Sequence, residues 1–184
     1  MIFEGRKTVF TYKIIKLPAY RGVGLKWDGA YSEVSNLKQV ITTMSNRVEE
    51  LDHVLNPDQQ LGLSYHLRPD GFIHYSVYEV TEEQQVPEGM VEIYVPEMTY
   101  LVTTHPKGES IGETYAKISS WMEEGEYEPF VESDKTYFDS LPIKHERYPA
   151  NRDLENPHFD ILIPITKKHE ALKKKRWRQS KNIE

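Results

Sequence analysis

The chain has 184 residues, 38% apolar and 28% charged, which is enough to bury a real core and too apolar for a disordered polymer. No apolar run approaches the roughly 18 residues that span a bilayer, and the opening Met1-Ile2-Phe3-Glu4-Gly5-Arg6-Lys7 lacks the apolar stretch of a secretory signal. Zero cysteines exclude disulfides, thiolate metal sites and a thiol nucleophile, and a net charge of −6 argues against general nucleic-acid binding, so a cytoplasmic protein without membrane contact is expected.

Val9 to Leu17 is rich in β-branched and aromatic residues and stops at Pro18, the pattern of a strand. Arg21-Gly22-Val23-Gly24 reads as a turn, and Trp27-Asp28-Gly29 as a loop or helix entry beside a pocket mouth. Val34, Leu37, Ile41, Met44, Val48, Leu51 and Leu55 then alternate in steps of three and four, which predicts one amphipathic helix ending at Asn56-Pro57. Leu61 to Leu67 and Phe72 to Val80 read as strands joined by the turn Arg68-Pro69-Asp70-Gly71, and Met90 to Val95 as one more strand.

The second half repeats this order in shorter form. Met98 to Thr104 is a strand, and Ser110 with Glu113 forms a capping box before the helical stripe Ile111, Tyr115, Ile118 and Met122, closed by Glu124-Gly125. Ile143 to Tyr148 and Phe159 to Ile165 complete the set, separated by an irregular stretch with Pro149 and Pro157. The economical architecture is α+β: duplicated strand-helix-strand-strand modules over 9–95 and 96–165, in one antiparallel sheet with two helices on one face. A single domain over 1–165 is followed by a tail, 166–184, with eight Lys or Arg against two Glu. That leaves the body at −12, and the tail reads as a solvated end or as a docking segment for an acidic partner.

Several of these residues carry a likeness. The run Tyr100-Leu101-Val102-Thr103-Thr104-His105-Pro106-Lys107-Gly108, Trp121 late in the second helix, Glu146-Arg147-Tyr148, and the closing Phe159-Asp160-Ile161-Leu162-Ile163-Pro164-Ile165 resemble the gyrase-inhibitor-like family. This family also supplies the effector-binding domains of multidrug-sensing transcription regulators. The resemblance implies two pseudo-symmetric modules around a ligand cleft, with Glu146 in the pocket meeting a ligand's positive charge. The chain enters its first strand without a helix-turn-helix segment, so direct DNA binding is not expected to carry over. Around Leu61 to His66 and Pro69 to Tyr75 the chain is similar to stand-alone members, among them multidrug binders, hydrolases of cyclopropane-containing genotoxins and gyrase inhibitors.

Strand alternation sets Lys144, Glu146 and Tyr148 on one face and Ile143, His145 and Arg147 on the other. On the residues alone Glu146 is either a cleft carboxylate or a surface partner of Lys144 or Arg147. Trp121 lies one step off the helical stripe, as a cleft wall or as core. The candidates for aromatic walls are Tyr65, Tyr75, Tyr115, Tyr137 and Tyr148, and the opposite parity of Tyr75 and Tyr78 lets only one of those two face the helices. His66 and His74 flank a turn without metal-ligand spacing, and neither Ser64 nor Ser110 lies in a nucleophile elbow, so no metal, cofactor or serine nucleophile is expected. The expected function is capture of an aromatic, often cationic small molecule. The alternatives are hydrolysis of a strained electrophile with Glu146 as general base, and a module that engages gyrase or another protein.

Overall fold

The computed structural model describes residues 10–168. The strands are β1 (Lys13–Leu17), β2 (Tyr20–Ala30), β3 (Gln59–Tyr65), β4 (Gly71–Val80), β5 (Val91–Val95), β6 (Met98–His105), β7 (Tyr127–Pro129), β8 (Ile143–Pro149) and β9 (Phe159–Lys167). Helix α1 (Val34–Asn46) lies between β2 and β3, and α2 (Ile111–Glu124) between β6 and β7. All strands pair antiparallel in the order β1-β6-β9-β8-β3-β4-β2-β5, with β7 attached to β9. The expected α+β fold is present: among the described residues, one large antiparallel sheet with two α-helices.

Two expectations fail for identifiable reasons. Gly22 and Gly24 do not make a turn; they belong to β2, which also takes in Trp27-Asp28-Gly29. A Cβ at Gly24 would lie 2.1 Å from the Ser76 carbonyl oxygen, so glycine serves the close approach of β2 to β4 and not a reversal. Helix α1 stops at Asn46, well short of Leu55. Its last turns hold Thr42, Thr43, Ser45 and Asn46, weak helix formers, and the Thr42 and Ser45 hydroxyls donate back to Lys38 and Thr42 carbonyls at 3.0 and 2.9 Å. The apolar spacing persists because Val48 sits on a short 3₁₀ turn, after which Leu51 is buried and Leu55 exposed. By contrast, α2 starts where expected, with Ser110 Oγ accepting the Glu113 N–H.

The strand order is a palindrome of the chain. β3-β4-β2 in one half mirrors β8-β9-β6 in the other, and the halves meet where β3 pairs with β8. Each half is led by a strand that pairs in the other half: β1 with β6, and β5 with β2. Only Pro18-Ala19 separates β1 from β2, and only Pro96-Glu97 separates β5 from β6. A link so short spans about 10 Å, so the two ends of the sheet must curl together.

Curling divides the core. On the helix face, α2 covers Leu101, Phe159, Ile161 and Ile163, while α1 covers Phe72, Val23 and Tyr78. On the reverse face no helix lies among the described residues, yet Leu61, Leu63, Val77, Tyr100 and Leu162 are buried, because Leu17 and Met98 from one end of the sheet and Tyr20 and Val95 from the other close over them.

Candidate functional site

The seam between the halves lies on the helix face, between the footprints of α1 and α2. Across it, Glu146 of β8 stands opposite Gly62 of β3, which stands opposite Ser76 of β4; one step along, Lys144 faces Ser64 and Ser64 faces His74. The floor of the seam is therefore built of Gly62, Ser64 and Ser76. Helices need apolar neighbours to pack against, and this row of small, mostly polar residues leaves a trough where neither helix sits.

One wall of the trough carries the chemistry. The Tyr115 hydroxyl, from α2, donates to Glu146 Oε1, and the Tyr148 hydroxyl, two residues along β8, donates to Oε2. Burial pushes the Glu146 carboxyl up to about 7, against the Tyr115 hydrogen bond and the positive charges of Arg152 and Lys144. The same burial, with the neighbouring carboxylate, raises the Tyr115 phenol well above its ordinary value, so the Tyr115 hydroxyl acts as a hydrogen-bond donor at neutral pH. Lys144 is engaged elsewhere, 3.2 Å from Asp139 and 5.5 Å over the Tyr115 ring. Among the described residues no salt bridge reaches Glu146.

The other wall is α1, held to the seam by Gln60, whose amide donates to the Ile41 carbonyl at 2.9 Å and to Ser76 Oγ at 2.8 Å. His74 Nδ1 lies 2.8 Å from Ser64 Oγ, while its Nε2 is buried without a hydrogen-bond partner. Burial, with Arg152 nearby, pulls the His74 imidazole down to about 3, so it is neutral. Beyond Tyr148 the seam opens into a cavity of about 310 Å³ between α1 and the segment after β8, lined by Ile41, Ser45, Gln60, Tyr78 and Arg152. The Arg152 guanidinium lies 4.1 Å over the Tyr148 ring.

Of the candidate residues, Glu146, Tyr148 and Tyr115 come together. Trp121 lies farther along α2, stacked on Tyr127 at 5.7 Å and edge-on to Tyr12 at 4.9 Å. Tyr65 and Tyr75 project from the reverse face, in edge contact at 6.0 Å. There the Tyr65 hydroxyl lies 3.1 Å from His145 Nε2 and Tyr100 Oη 3.4 Å from Nδ1, with burial and Arg147 bringing His145 down to about 3. Two hollows of about 210 and 190 Å³ also lie on this reverse face, the larger backed by the β8 main chain and lined by Tyr20, Tyr100 and Arg147. Tyr137 occupies the segment before β8, its phenol pushed up to about 12 by burial and by Glu132. Tyr78, not Tyr75, faces the helices, packed with Met44.

Gly62, Gln60 and Arg152 went unread in the sequence, and His74 was weighed there only as a metal ligand. The seam positions of Gly62, Gln60 and His74 are visible only through strand register, and Arg152 lies in a stretch without periodicity. Among the described residues no cluster of His, Asp and Glu suits a metal, and no helix is long and apolar enough to cross a membrane.

Residues 10–166 match the model of the GyrI-like small molecule binding domain. The chain belongs to this family. A curated relative is the transcriptional regulator BrlR of Pseudomonas aeruginosa, 31% identical over 157 residues, 83% of this chain; the chain spans about half (54%) of that relative's length. Among solved structures, the EcmrR C-terminal domain superposes with a TM-score of 0.61 at 13% identity, covering 87% of this chain and 99% of the other. SAV2435 bound to tetraphenylphosphonium does so at 0.56 and 14% identity, covering 85% and 94%. At such identities these likenesses establish the GyrI-like fold.

Proposed function

We propose that this GyrI-like domain captures aromatic cations in the trough between its helices, with Glu146 as the counter-charge and the rings of Tyr115 and Tyr148 as walls. The observation that carries the reading is the Glu146 carboxylate, partly buried, without a salt-bridging partner among the described residues and oriented by two tyrosine hydroxyls. A delocalised organic cation supplies the missing charge without demanding directional hydrogen bonds, and aromatic surfaces accept its rings in several poses. SAV2435, which shares the fold, holds a ligand of this chemistry. Titration with tetraphenylphosphonium, by calorimetry or dye displacement, tests the reading: Glu146→Gln should weaken binding at least tenfold at pH 8. Retained affinity would remove the carboxylate from the mechanism.

A second reading rests on the carboxyl titrating near 7, where a general base is effective. Glu146 would take a proton from water as the water oxygen bonds to a strained ring carbon. The ring C–C bond would break with its electron pair passing to a conjugated carbonyl oxygen that receives a hydrogen bond from a tyrosine hydroxyl, and the Glu146 proton would then go to the released carbon, for net addition of water. Incubation with a cyclopropanoid electrophile, followed by mass analysis, separates the two; a compound bound and recovered unchanged leaves capture alone.

A further inference from the structure

Glu146, Tyr148 and Arg152 follow one another along β8 and the segment that leaves it. The strand ends at Pro149, Arg152 N–H donates to the Pro149 carbonyl at 3.1 Å, and the tight turn folds the side chain back over the strand. Its guanidinium thereby covers the Tyr148 ring at 4.1 Å, and Tyr148 is the residue whose hydroxyl holds the carboxylate. A flat delocalised cation on an electron-rich ring, beside a buried acid, is the arrangement proposed above for a ligand.

The guanidinium is poorly rewarded for being there. It makes no salt bridge with Glu146, and Nη1 is buried without a hydrogen-bond partner. Burial pulls its titration down from the usual arginine value, with the negative charge of Glu146 opposing that effect. An arginine fixed for structure normally has its donors satisfied, since an orphaned charged donor forfeits the hydrogen bonds that water would give.

The segment is also built to move its middle without losing its ends. At one end Ala150 N–H donates to the Asp58 carbonyl at 2.9 Å; at the other, Asn156 Oδ1 accepts the Gly108 N–H at 2.6 Å. Between them Asp153, Leu154 and Glu155 are exposed, and Asp153 bonds only to Glu155 and Asn156 of its own turn.

We propose that Arg152 is a resident cation occupying the ligand's place on Tyr148, and that a cationic ligand enters by displacing it. The inference rests on the capture reading and extends it. Arg152 sets a charge threshold: a ligand gains the site only if its cation serves Glu146 and Tyr148 better than the tethered guanidinium does. The cavity of about 310 Å³ that Arg152 lines is where the side chain swings when it leaves.

The experiment compares the full chain with Arg152→Ala and Arg152→Gln, each titrated with tetraphenylphosphonium. Both variants should bind about tenfold more tightly than the parent, and the gain should vanish when either is combined with Glu146→Gln. The same samples, followed by carbon NMR of the Glu146 carboxyl, should titrate higher in both variants, because a nearby positive charge has gone. Binding that is unchanged or weaker in the variants, while Glu146→Gln still lowers it in the parent, overturns the resident-cation role and leaves capture standing. An unchanged Glu146 titration overturns it regardless of ligand. Absence of phosphonium binding in every protein removes the capture reading and this inference together.

Discussion

Gly62 stands directly opposite Glu146 across the β3–β8 pair, and its missing side chain makes room for the His74 and Tyr148 rings over the floor of the trough. A Cβ there would lie 3.0 Å from both His74 Cε1 and Tyr148 Cε2, tighter than ordinary contact. Gly62→Leu should therefore push the Tyr148 ring aside, cut phosphonium affinity at least tenfold and cost about 1–3 kcal/mol of stability. Calorimetric titration and chemical denaturation read both numbers; a variant that binds normally would show that ligands do not use the floor of the seam.

Binding of a cation should strengthen as pH rises from about 6 to 8, because the carboxyl titrates near 7 and only its ionised form pairs with the ligand. Complex formation near pH 7 should release protons, visible as a buffer-dependent heat in calorimetry. Both effects should be absent in Glu146→Gln. A flat pH profile in the parent would mean that the carboxylate is not the counter-charge.

The same titration bears on folding. The folded-state value for Glu146 lies above the 4.5 of an ordinary glutamate, so the folded chain holds the proton more tightly between about pH 4.5 and 7. Stability contributed by this group is full below that window and lost as pH rises through it. Glu146→Gln should be neutral or stabilising at pH 8, by a few kcal/mol at most, and should lose that advantage at pH 5. Denaturant melts at the two pH values decide it, and equal destabilisation at both would contradict a carboxylate held at a cost.

Histidines act in the opposite sense, three of them most strongly, with His105 also lowered by burial. Burial lowers His74 and His145 to about 3 and His66 to about 4, so the unfolded chain binds protons at these sites first. Their contribution to stability is present above the ordinary histidine value of 6.5 and is lost as pH falls from there toward 3 to 4. With three such groups against one glutamate, net stability should fall steadily below pH 6. Replacing His145 by alanine should remove part of that slope and cost about 2–4 kcal/mol, since it leaves the Tyr65 and Tyr100 hydroxyls without their shared partner. Phosphonium affinity should be unaffected, because His145 lies behind the sheet.

The Tyr115 hydroxyl favours the ionised carboxylate, so Tyr115→Phe should raise the Glu146 titration further and weaken cation binding several-fold at pH 7, with recovery toward pH 9. Affinity equally reduced at both pH values would assign the loss to altered packing.

How much of this the sequence displays depends on which forces set each part. Apolar spacing exposed both helices and most strands, because a stripe or an alternation records burial directly. β2 escaped, since Gly22 and Gly24 obey a steric demand from Ser76 that lies far away in the chain. The pairing of Glu146 with Tyr148 follows from strand parity alone. That Tyr65 and Tyr75 share the reverse face with His145 needed the registers of β3, β4 and β8. Arg152 required the turn after Pro149, where no repeat marks which way a side chain will fold.

The traded leading strands, β1 on β6 and β5 on β2, have a consequence for how such a duplicated chain can change over time. Each half finishes its own sheet with a piece borrowed from its twin, so neither can be shed, shortened to its core, or cut free as a working unit. The twins are also unequal at their shared seam, where β8 places Glu146 and β3 answers it with Gly62, so exchanging one half for a copy of the other would not conserve the charge there.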